Sequence, residues 1–115
     1  MAITIFHNPR CSKSRTTLSL LQEQGIEPEV RLYLQDPPDA EELAKILALL
    51  GKSPRELMRK GEAEYKEQGL AEEGLDDEAL IAAMTATPKL IERPIVLANG
   101  KAAVGRPPES VLEIL

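Results

Sequence analysis

The feature that most constrains the fold is a strand, a helix and a second strand within the first thirty-four residues. Residues 3–6 are rich in β-branched side chains and predict a first strand. A helix is predicted over about residues 12–24, with Gly25 placed where a C-terminal cap is favourable. The alternating pattern of residues 30–34 predicts a second strand. Two strands joined by a helix in so short a segment are expected to be parallel.

A helical section without strand signals follows, over about residues 36–90. Its clearest helix spans residues 39–50, where apolar residues recur every three or four positions and Asp39 has the spacing of an N-terminal cap. Ser53-Pro54 predicts a second helix start, and Asp76 predicts a third. The acidic residues between positions 62 and 78 are interpreted as a solvated helical face.

The C-terminal part predicts a hairpin and a last helix. Residues 95–98 and 101–104 flank Asn99-Gly100, a dipeptide typical of tight hairpin turns. A short helix is predicted after Pro107-Pro108, with Val111, Leu112 and Leu115 facing inward. This order of elements is that of an α/β protein with a thioredoxin-like fold, in which a helical insertion separates the βαβ and ββα halves. We expect a single domain over residues 1–115.

Composition excludes several classes of function. The net charge of −5 disfavours nucleic-acid binding, and no apolar run approaches the roughly 20 residues of a membrane span. One cysteine and one histidine cannot form a familiar zinc site. We expect no bound metal or cofactor, no membrane or nucleic-acid partner, and a monomer. The free cysteine and the lack of a recognisable signal peptide indicate a cytoplasmic protein.

Cys11 is the residue whose position best suits chemistry. It lies between the first strand and the first helix, where unpaired backbone N–H groups and the helix dipole stabilise a thiolate. Residues 1–15 carry Arg10, Lys13 and Arg15 and no acidic residue. These are the conditions for a nucleophilic cysteine, and the same helix start favours an oxyanion. A buried, inert cysteine is the alternative.

Two related chemistries do not fit the spacing. A cysteine phosphatase loop needs Arg six residues after the cysteine, where this chain has Thr17. A dithiol redox motif needs a second cysteine where Ser14 stands. Redox turnover would therefore need an external thiol.

Four segments together resemble the glutaredoxin-coupled arsenate reductase family. They are His-Asn-Pro-Arg-Cys-Ser-Lys-Ser-Arg at residues 7–15, Glu-Leu-Met-Arg at 56–59, Glu-Arg-Pro-Ile-Val at 92–96 and Gly-Arg-Pro-Pro at 105–108. The resemblance implies that Cys11 attacks arsenate or a similar oxyanion. It also implies that glutathione is the co-substrate, and that glutaredoxin clears the mixed disulfide left on the enzyme.

The resemblance also implies roles for individual residues. Three arginines would bind and orient the oxyanion: Arg59, Arg93 and Arg106. Pro94 would follow a cis peptide bond. His7 would assist the Cys11 thiolate as a cation or a polar neighbour, or it merely packs at the strand end; Ser14 would hydrogen-bond the thiolate or cap the helix. The remaining residues of the active-site loop are Asn8, Arg10, Ser12, Lys13 and Arg15.

Three alternatives stay open at this point. Arg55, four residues before Arg59, could be the third arginine instead. The enzyme could be a glutathione-linked thiol reductase that acts on other substrates. A related branch of the fold binds RNA polymerase as a regulator, often with a Cys-x-x-Cys switch, which this chain lacks because Ser14 replaces the second cysteine.

Overall fold

A computed structural model describes residues 3–115 of the chain. These residues form two compact units, which we call the sheet unit and the helical unit. The sheet unit comprises residues 3–36 and 93–115, and the helical unit comprises residues 37–92. The helical unit corresponds to the predicted insertion and differs from its predicted bounds by one or two residues.

The sheet unit contains four strands, one α-helix and a C-terminal 3₁₀ helix. These are β1 (Thr4–Phe6), α1 (Ser12–Glu23), β2 (Glu29–Arg31), β3 (Ile95–Ala98), β4 (Lys101–Val104) and the 3₁₀ helix Pro108–Ile114. The strand order is β2-β1-β3-β4. β1 runs parallel to β2 and antiparallel to β3, and β3 runs antiparallel to β4. The mixed sheet with its βαβ and ββα halves is the predicted thioredoxin-like fold.

One core cluster of the sheet unit is small and aliphatic. Its fully buried members come from β1, α1, β3 and the C-terminal 3₁₀ helix: Ile5, Leu21, Val96 and Val111. Partly buried side chains pack around them: Ile3, Leu18, Ile26, Ala103 and Ile114. Burial of one such side chain stabilises the fold by about 1.5–3 kcal/mol, so these contacts fix α1, and with it Cys11, against the sheet.

The hairpin between β3 and β4 turns at the predicted dipeptide. Asn99 and Gly100 have φ angles of 53° and 73°, the left-handed values that a two-residue type I′ turn requires at both positions. The Asn99 side chain also donates a hydrogen bond to the carbonyl of Ile114, at 2.8 Å. The turn thus fixes both the register of the hairpin and the C-terminal segment.

The second strand is shorter than the predicted residues 30–34. β2 ends at Arg31, and the carbonyl of Leu32 accepts the N–H groups of Gln35 and Asp36, both at 2.9 Å, which closes a turn. β2 lies at the sheet edge and pairs only along the three residues of β1. The alternation of apolar and polar residues that predicted a longer strand therefore continues into this turn, where it does not indicate a strand.

The C-terminal helix differs from the prediction in its type and in its buried face. It is a 3₁₀ helix, which repeats every three residues, so Val111 and Ile114 face the core. Leu112 and Leu115, predicted to face inward, are exposed. The prediction is confirmed for Val111 and wrong for Leu112 and Leu115, because it assumed an α-helical period for this segment.

The helical unit begins with two well-capped helices. α2 spans Ala40–Leu50; its N-cap Asp39 accepts the N–H of Glu42 at 2.8 Å, and Gly51 ends it in the left-handed conformation. α3 spans Pro54–Leu57, and Ser53 and Glu56 form a reciprocal capping box. Both starts agree with the sequence, because side-chain oxygens at these positions satisfy N–H groups that a helix leaves unpaired.

Three further helical segments complete this unit. They are α4 (Ala63–Glu67), α5 (Asp77–Ala86) and the 3₁₀ turn Pro88–Leu90. Asp76 caps α5 as predicted, by accepting the N–H of Ala79 at 2.9 Å. The interpretation of residues 62–78 as one solvated helical face is wrong, because α4 ends at Glu67 and α5 begins only at Asp77.

A short antiparallel contact joins two irregular stretches of the helical unit. Met58 and Ile91 form an isolated β-bridge, with hydrogen bonds from the N–H of Arg59 to the carbonyl of Leu90 (2.7 Å) and from the N–H of Glu92 to that of Leu57 (2.9 Å). The bridge fixes the backbone of Arg59. Within residues 3–115, no helix is long and apolar enough to cross a membrane.

Candidate active site

Cys11 is the N-cap residue of α1. Its φ and ψ angles of −93° and 122° are extended, and its carbonyl accepts the N–H of Arg15 at 3.0 Å, which starts the helix. The residue is largely buried, with 9% of its surface exposed. The N–H groups of the first helical turn have no partner inside the helix, so the thiol stands at the positive end of the helix dipole.

The loop before Cys11 is held by hydrogen bonds to its own residues. The carbonyl of Asn8 accepts the N–H of Cys11, and the Asn8 side-chain oxygen accepts the N–H of Arg10, both at 3.0 Å. Arg15 reaches back from α1 and donates to the carbonyl of Pro9 at 2.8 Å. Asn8 and Arg15, whose roles the sequence left open, therefore shape the loop that presents the cysteine.

His7 and Ser14 form a buried polar pair beneath this loop. Nδ1 of His7 and Oγ of Ser14 are 2.6 Å apart, and Oγ also accepts the N–H of Asn8 at 3.0 Å. Burial, and secondarily the charge of Arg15, lowers the pKa of His7 below its usual 6.5. His7 is therefore neutral near pH 7, which favours the polar-neighbour role over the cationic one.

The C-terminal motifs bring two arginines to the sheet unit. Nη2 of Arg106 lies 3.9 Å from Sγ of Cys11, within reach of a hydrogen bond to sulfur. Nε of Arg106 donates to the carbonyl of Arg93 at 2.9 Å. Nε and Nη1 of Arg93 are buried from solvent. The guanidinium of Arg106 thus places positive charge beside the thiol, at an orientation fixed by a backbone carbonyl.

The peptide bond between Arg93 and Pro94 is cis, as the resemblance implies. A second cis bond joins Arg106 and Pro107, which the sequence did not predict. The N–H of Gly105 donates to the carbonyl of Pro94 at 2.9 Å. The two arginine-proline motifs are therefore joined by backbone hydrogen bonding.

Gly105 permits the close approach on which this arrangement depends. A Cβ at this position would lie 2.5 Å from Oγ1 of Thr17 and 2.7 Å from Cγ of Pro94. Thr17 is itself fixed, because its hydroxyl donates to the carbonyl of Lys13 at 2.8 Å. Sequence reasoning did not identify Gly105 or Thr17 as site-forming residues, since their contact joins segments far apart in the chain.

Arg59 and Arg55 belong to the helical unit and have different surroundings. The guanidinium of Arg55 donates to the hydroxyl of Tyr65 and to the carbonyls of Leu70 and Glu72, at 2.7–2.9 Å. Arg59 instead pairs with the carboxylates of two acidic residues, Glu62 and Glu92. Arg55 therefore anchors the loop after α4, and Arg59 remains the candidate for binding an anion.

The other predicted loop residues are on the surface. Arg10, Ser12 and Lys13 are exposed, and they surround the start of α1 with polar and positively charged side chains. In the part of the chain that the structure describes, no cluster of three or more His, Cys, Asp or Glu residues could hold a metal ion.

The fold and this site define a thioredoxin-like protein whose one cysteine begins the first helix beside an arginine. Residues 6–114 match the model of the ArsC family, and the chain belongs to that family. It is 62% identical to the uncharacterized protein YfgD of Escherichia coli (strain K12) over 114 residues, covering 98% of this chain and 96% of that protein.

Two further relatives carry a functional name. An arsenate reductase of Neisseria meningitidis is 57% identical over 114 residues, with 98% of this chain and 97% of the relative covered. The solved structure of an arsenate reductase from Vibrio cholerae superposes with a TM-score of 0.97 at 55% identity, covering 100% of this chain and 98% of that chain.

Proposed function

We propose that this protein reduces arsenate to arsenite, with Cys11 as the single nucleophile and with glutathione and glutaredoxin as external reductants. The observation that carries the proposal is the 3.9 Å contact between Nη2 of Arg106 and Sγ of Cys11 at the start of α1. Relatives named arsenate reductase, at 57% identity over nearly the whole chain, support the choice of substrate.

The first step is attack of the Cys11 thiolate on the arsenic atom of arsenate. A sulfur–arsenic bond forms, and one hydroxyl of arsenate takes up a proton from solvent and leaves as water, with the arsenic still in oxidation state five. Arg106 and the N–H groups of the first turn of α1, which have no partner inside the helix, supply positive charge for the oxyanion and the thiolate. Arginine suits this role because its planar fork contacts two oxygens and stays charged at any working pH.

The second step transfers two electrons to arsenic. The thiolate of glutathione attacks Sγ of Cys11, the sulfur–arsenic bond breaks, and its electron pair leaves with arsenic as arsenite. The products are arsenite and a mixed disulfide between Cys11 and glutathione. Cys11 is the only cysteine of the chain, so no internal thiol can resolve this disulfide. Glutaredoxin then reduces the disulfide with a further glutathione.

The remaining residues of the proposed site position the loop that carries Cys11 and add contacts to the oxyanion. The Ser14 hydroxyl oxygen accepts the N–H of Asn8 and so holds the loop, and neutral His7 contacts the same hydroxyl. That hydroxyl also carries one proton that it can donate. Arg93 and Arg59 are proposed to contribute further contacts to the oxyanion, as the family resemblance implies. Pro94 and Gly105 position Arg93 and Arg106 through their backbone.

The test is arsenate-dependent oxidation of NADPH, coupled through glutathione, glutaredoxin and glutathione reductase. Wild-type protein is expected to turn over, and Cys11→Ser is expected to be inactive because a hydroxyl forms no comparable anion at neutral pH. Lys101→Ala, which changes an exposed residue of the hairpin, serves as the matched control and retains activity. Absence of turnover in wild-type protein would contradict arsenate as the substrate and favour either a thiol reductase of other substrates or a binding protein.

A further inference from the structure

Arg59 is held in the helical unit by carboxylates on two sides. Its Nη1 donates to Oε1 of Glu62 at 2.5 Å, and its Nε lies 3.6 Å from Oε1 of Glu92. The three side chains are partly buried, with 21–28% of their surfaces exposed. Because the β-bridge already fixes the backbone of Arg59, the carboxylates determine the direction and the effective charge of its guanidinium.

Glu62 has a second cationic partner besides Arg59. Its Oε2 lies 3.6 Å from Nζ of Lys89, and the same Nζ lies 3.0 Å from Oε2 of Glu64. The hydrogen bond between Lys89 and Glu64 lowers the pKa of Glu64 and raises the pKa of Lys89, so this pair is charged at neutral pH. Glu62 therefore keeps a cationic neighbour if Arg59 turns to another anion.

We propose that Glu62 is the resident counter-ion of Arg59, which an incoming oxyanion must displace from Nη1, and that Glu62 thereby sets the affinity for that oxyanion. This inference rests on the proposed function, because it takes Arg59 to be one of the oxyanion-binding arginines. Glu62 acts through Arg59 and is a positioning residue.

The physical basis is competition for the same donors. A carboxylate and a tetrahedral oxyanion both accept from the guanidinium fork, and the negative charge of Glu62 also opposes a second anion a few ångströms away. Replacing Glu62 by glutamine removes that charge at constant shape. Glu92 remains beside Nε, and the β-bridge still holds the backbone, so the guanidinium keeps most of its orientation.

The test measures anion binding without chemistry. In the Cys11→Ser protein, titration calorimetry at low salt gives the dissociation constants of inorganic phosphate and of arsenate. Adding Glu62→Gln is expected to tighten both about three- to tenfold, the range for one partly exposed charge at close distance. In the protein with Cys11 intact, Glu62→Gln is expected to lower the KM for arsenate by the same factor, with kcat unchanged.

Two matched variants make the experiment specific. Glu64→Gln removes an equal charge that contacts Lys89 and not Arg59, and it is expected to leave both dissociation constants unchanged. In an Arg59→Ala background, Glu62→Gln is expected to lose its effect. Circular dichroism melts of every variant verify that each is folded.

Several results would overturn the inference. They are an unchanged or weaker affinity in Glu62→Gln, an equal gain in Glu64→Gln, survival of the gain without Arg59, and no measurable binding of either anion. Failure of the proposed function is a separate result, namely absence of arsenate reduction by the wild-type protein. The calorimetric gain in Glu62→Gln can still be observed in that case.

Discussion

Arg106 of the sheet unit and Arg59 of the helical unit carry the same guanidinium group, but different partners orient it. Arg106 is oriented by the peptide carbonyl of Arg93, whereas Arg59 is oriented by the carboxylates of Glu62 and Glu92. A carbonyl accepts a hydrogen bond without cancelling the guanidinium charge, whereas a carboxylate accepts and cancels it. Arg106 is thus a cation placed beside a thiol, whereas the charge of Arg59 is already paired with carboxylates.

The supports of the two arginines differ in the same manner. Arg106 depends on a close backbone approach at Gly105, where no side chain fits. Arg59 depends on a β-bridge between two irregular stretches and on ionic contacts that are partly exposed. Substitutions that change side-chain volume should therefore affect the site of Arg106 more, and substitutions that change charge should affect the site of Arg59 more.

The largest expected effect comes from removing the cation beside the thiol. Arg106→Ala is expected to lower kcat/KM for arsenate about 10²–10³-fold, the range for loss of one fixed electrostatic donor. Arg10→Ala removes an exposed arginine of the active-site loop itself, and it should lower kcat/KM much less. Steady-state kinetics in the coupled assay measure both, and equal losses in the two variants would contradict the comparison.

The next effect tests the close approach at Gly105. Gly105→Ala places a methyl group against Thr17 and Pro94, and overpacking of this kind costs about 1–3 kcal/mol of stability. Gly61→Ala is the matched control, because a Cβ there meets no atom within 4 Å. Denaturant unfolding measures both changes. If Gly105→Ala were as stable as Gly61→Ala, the backbone at Gly105 would not be packed tightly against Thr17 and Pro94.

The third prediction separates two neighbouring arginines of the helical unit. Arg55→Ala removes donors from Tyr65, Leu70 and Glu72, so it should lower the free energy of unfolding by about 1–3 kcal/mol. Arg59→Ala should lower it less and should raise the KM for arsenate more. Unfolding curves and kinetics on both variants decide the assignment, and the reverse pattern would make Arg55 the anion-binding residue.

The smallest effect concerns the buried histidine. Because the pKa of His7 is lowered in the folded protein, the unfolded chain binds a proton first as the pH falls below 6.5. Stability is therefore complete above that pH and falls as the pH decreases toward the folded pKa, by at most about 1.4 kcal/mol per pH unit. The acidic side chains with lowered pKa values contribute only at lower pH.

Denaturant unfolding between pH 5 and pH 8 measures this slope. His7→Gln, which cannot titrate in this range, is expected to remove it. A slope that persists unchanged in His7→Gln would assign the pH dependence to other groups.

Most of the fold could be predicted because its signals are local. The Asn99-Gly100 turn and the caps at Asp39, Ser53 and Asp76 each depend on residues within a few positions of one another. The length of β2 could not be predicted, because it depends on where the partner strand β1 ends. The exposed Leu112 follows from a 3₁₀ repeat that the amino-acid pattern does not distinguish from an α-helix.

The candidate site also combines features that local sequence predicts with contacts that it does not. The position of Cys11 at a helix start, with Ser14 on the next turn, follows from local sequence. The contact between Cys11 and Arg106 joins residues 95 positions apart, and only the family resemblance indicated it. The pairing of Glu62 with Arg59 was missed, since an acidic residue in an acidic stretch carries no signal of partial burial.

The intact mass of the protein after one turnover shows directly whether Cys11 is the nucleophile that is left oxidised. Protein is mixed with arsenate and glutathione in the absence of glutaredoxin, and arsenite is quantified in the same sample. Wild-type protein is expected to gain the mass of one glutathione on Cys11, only when arsenate is present, with one arsenite formed for each modified chain. Arsenite formation with Cys11 unmodified, or equal arsenite formation by Cys11→Ser, would contradict it.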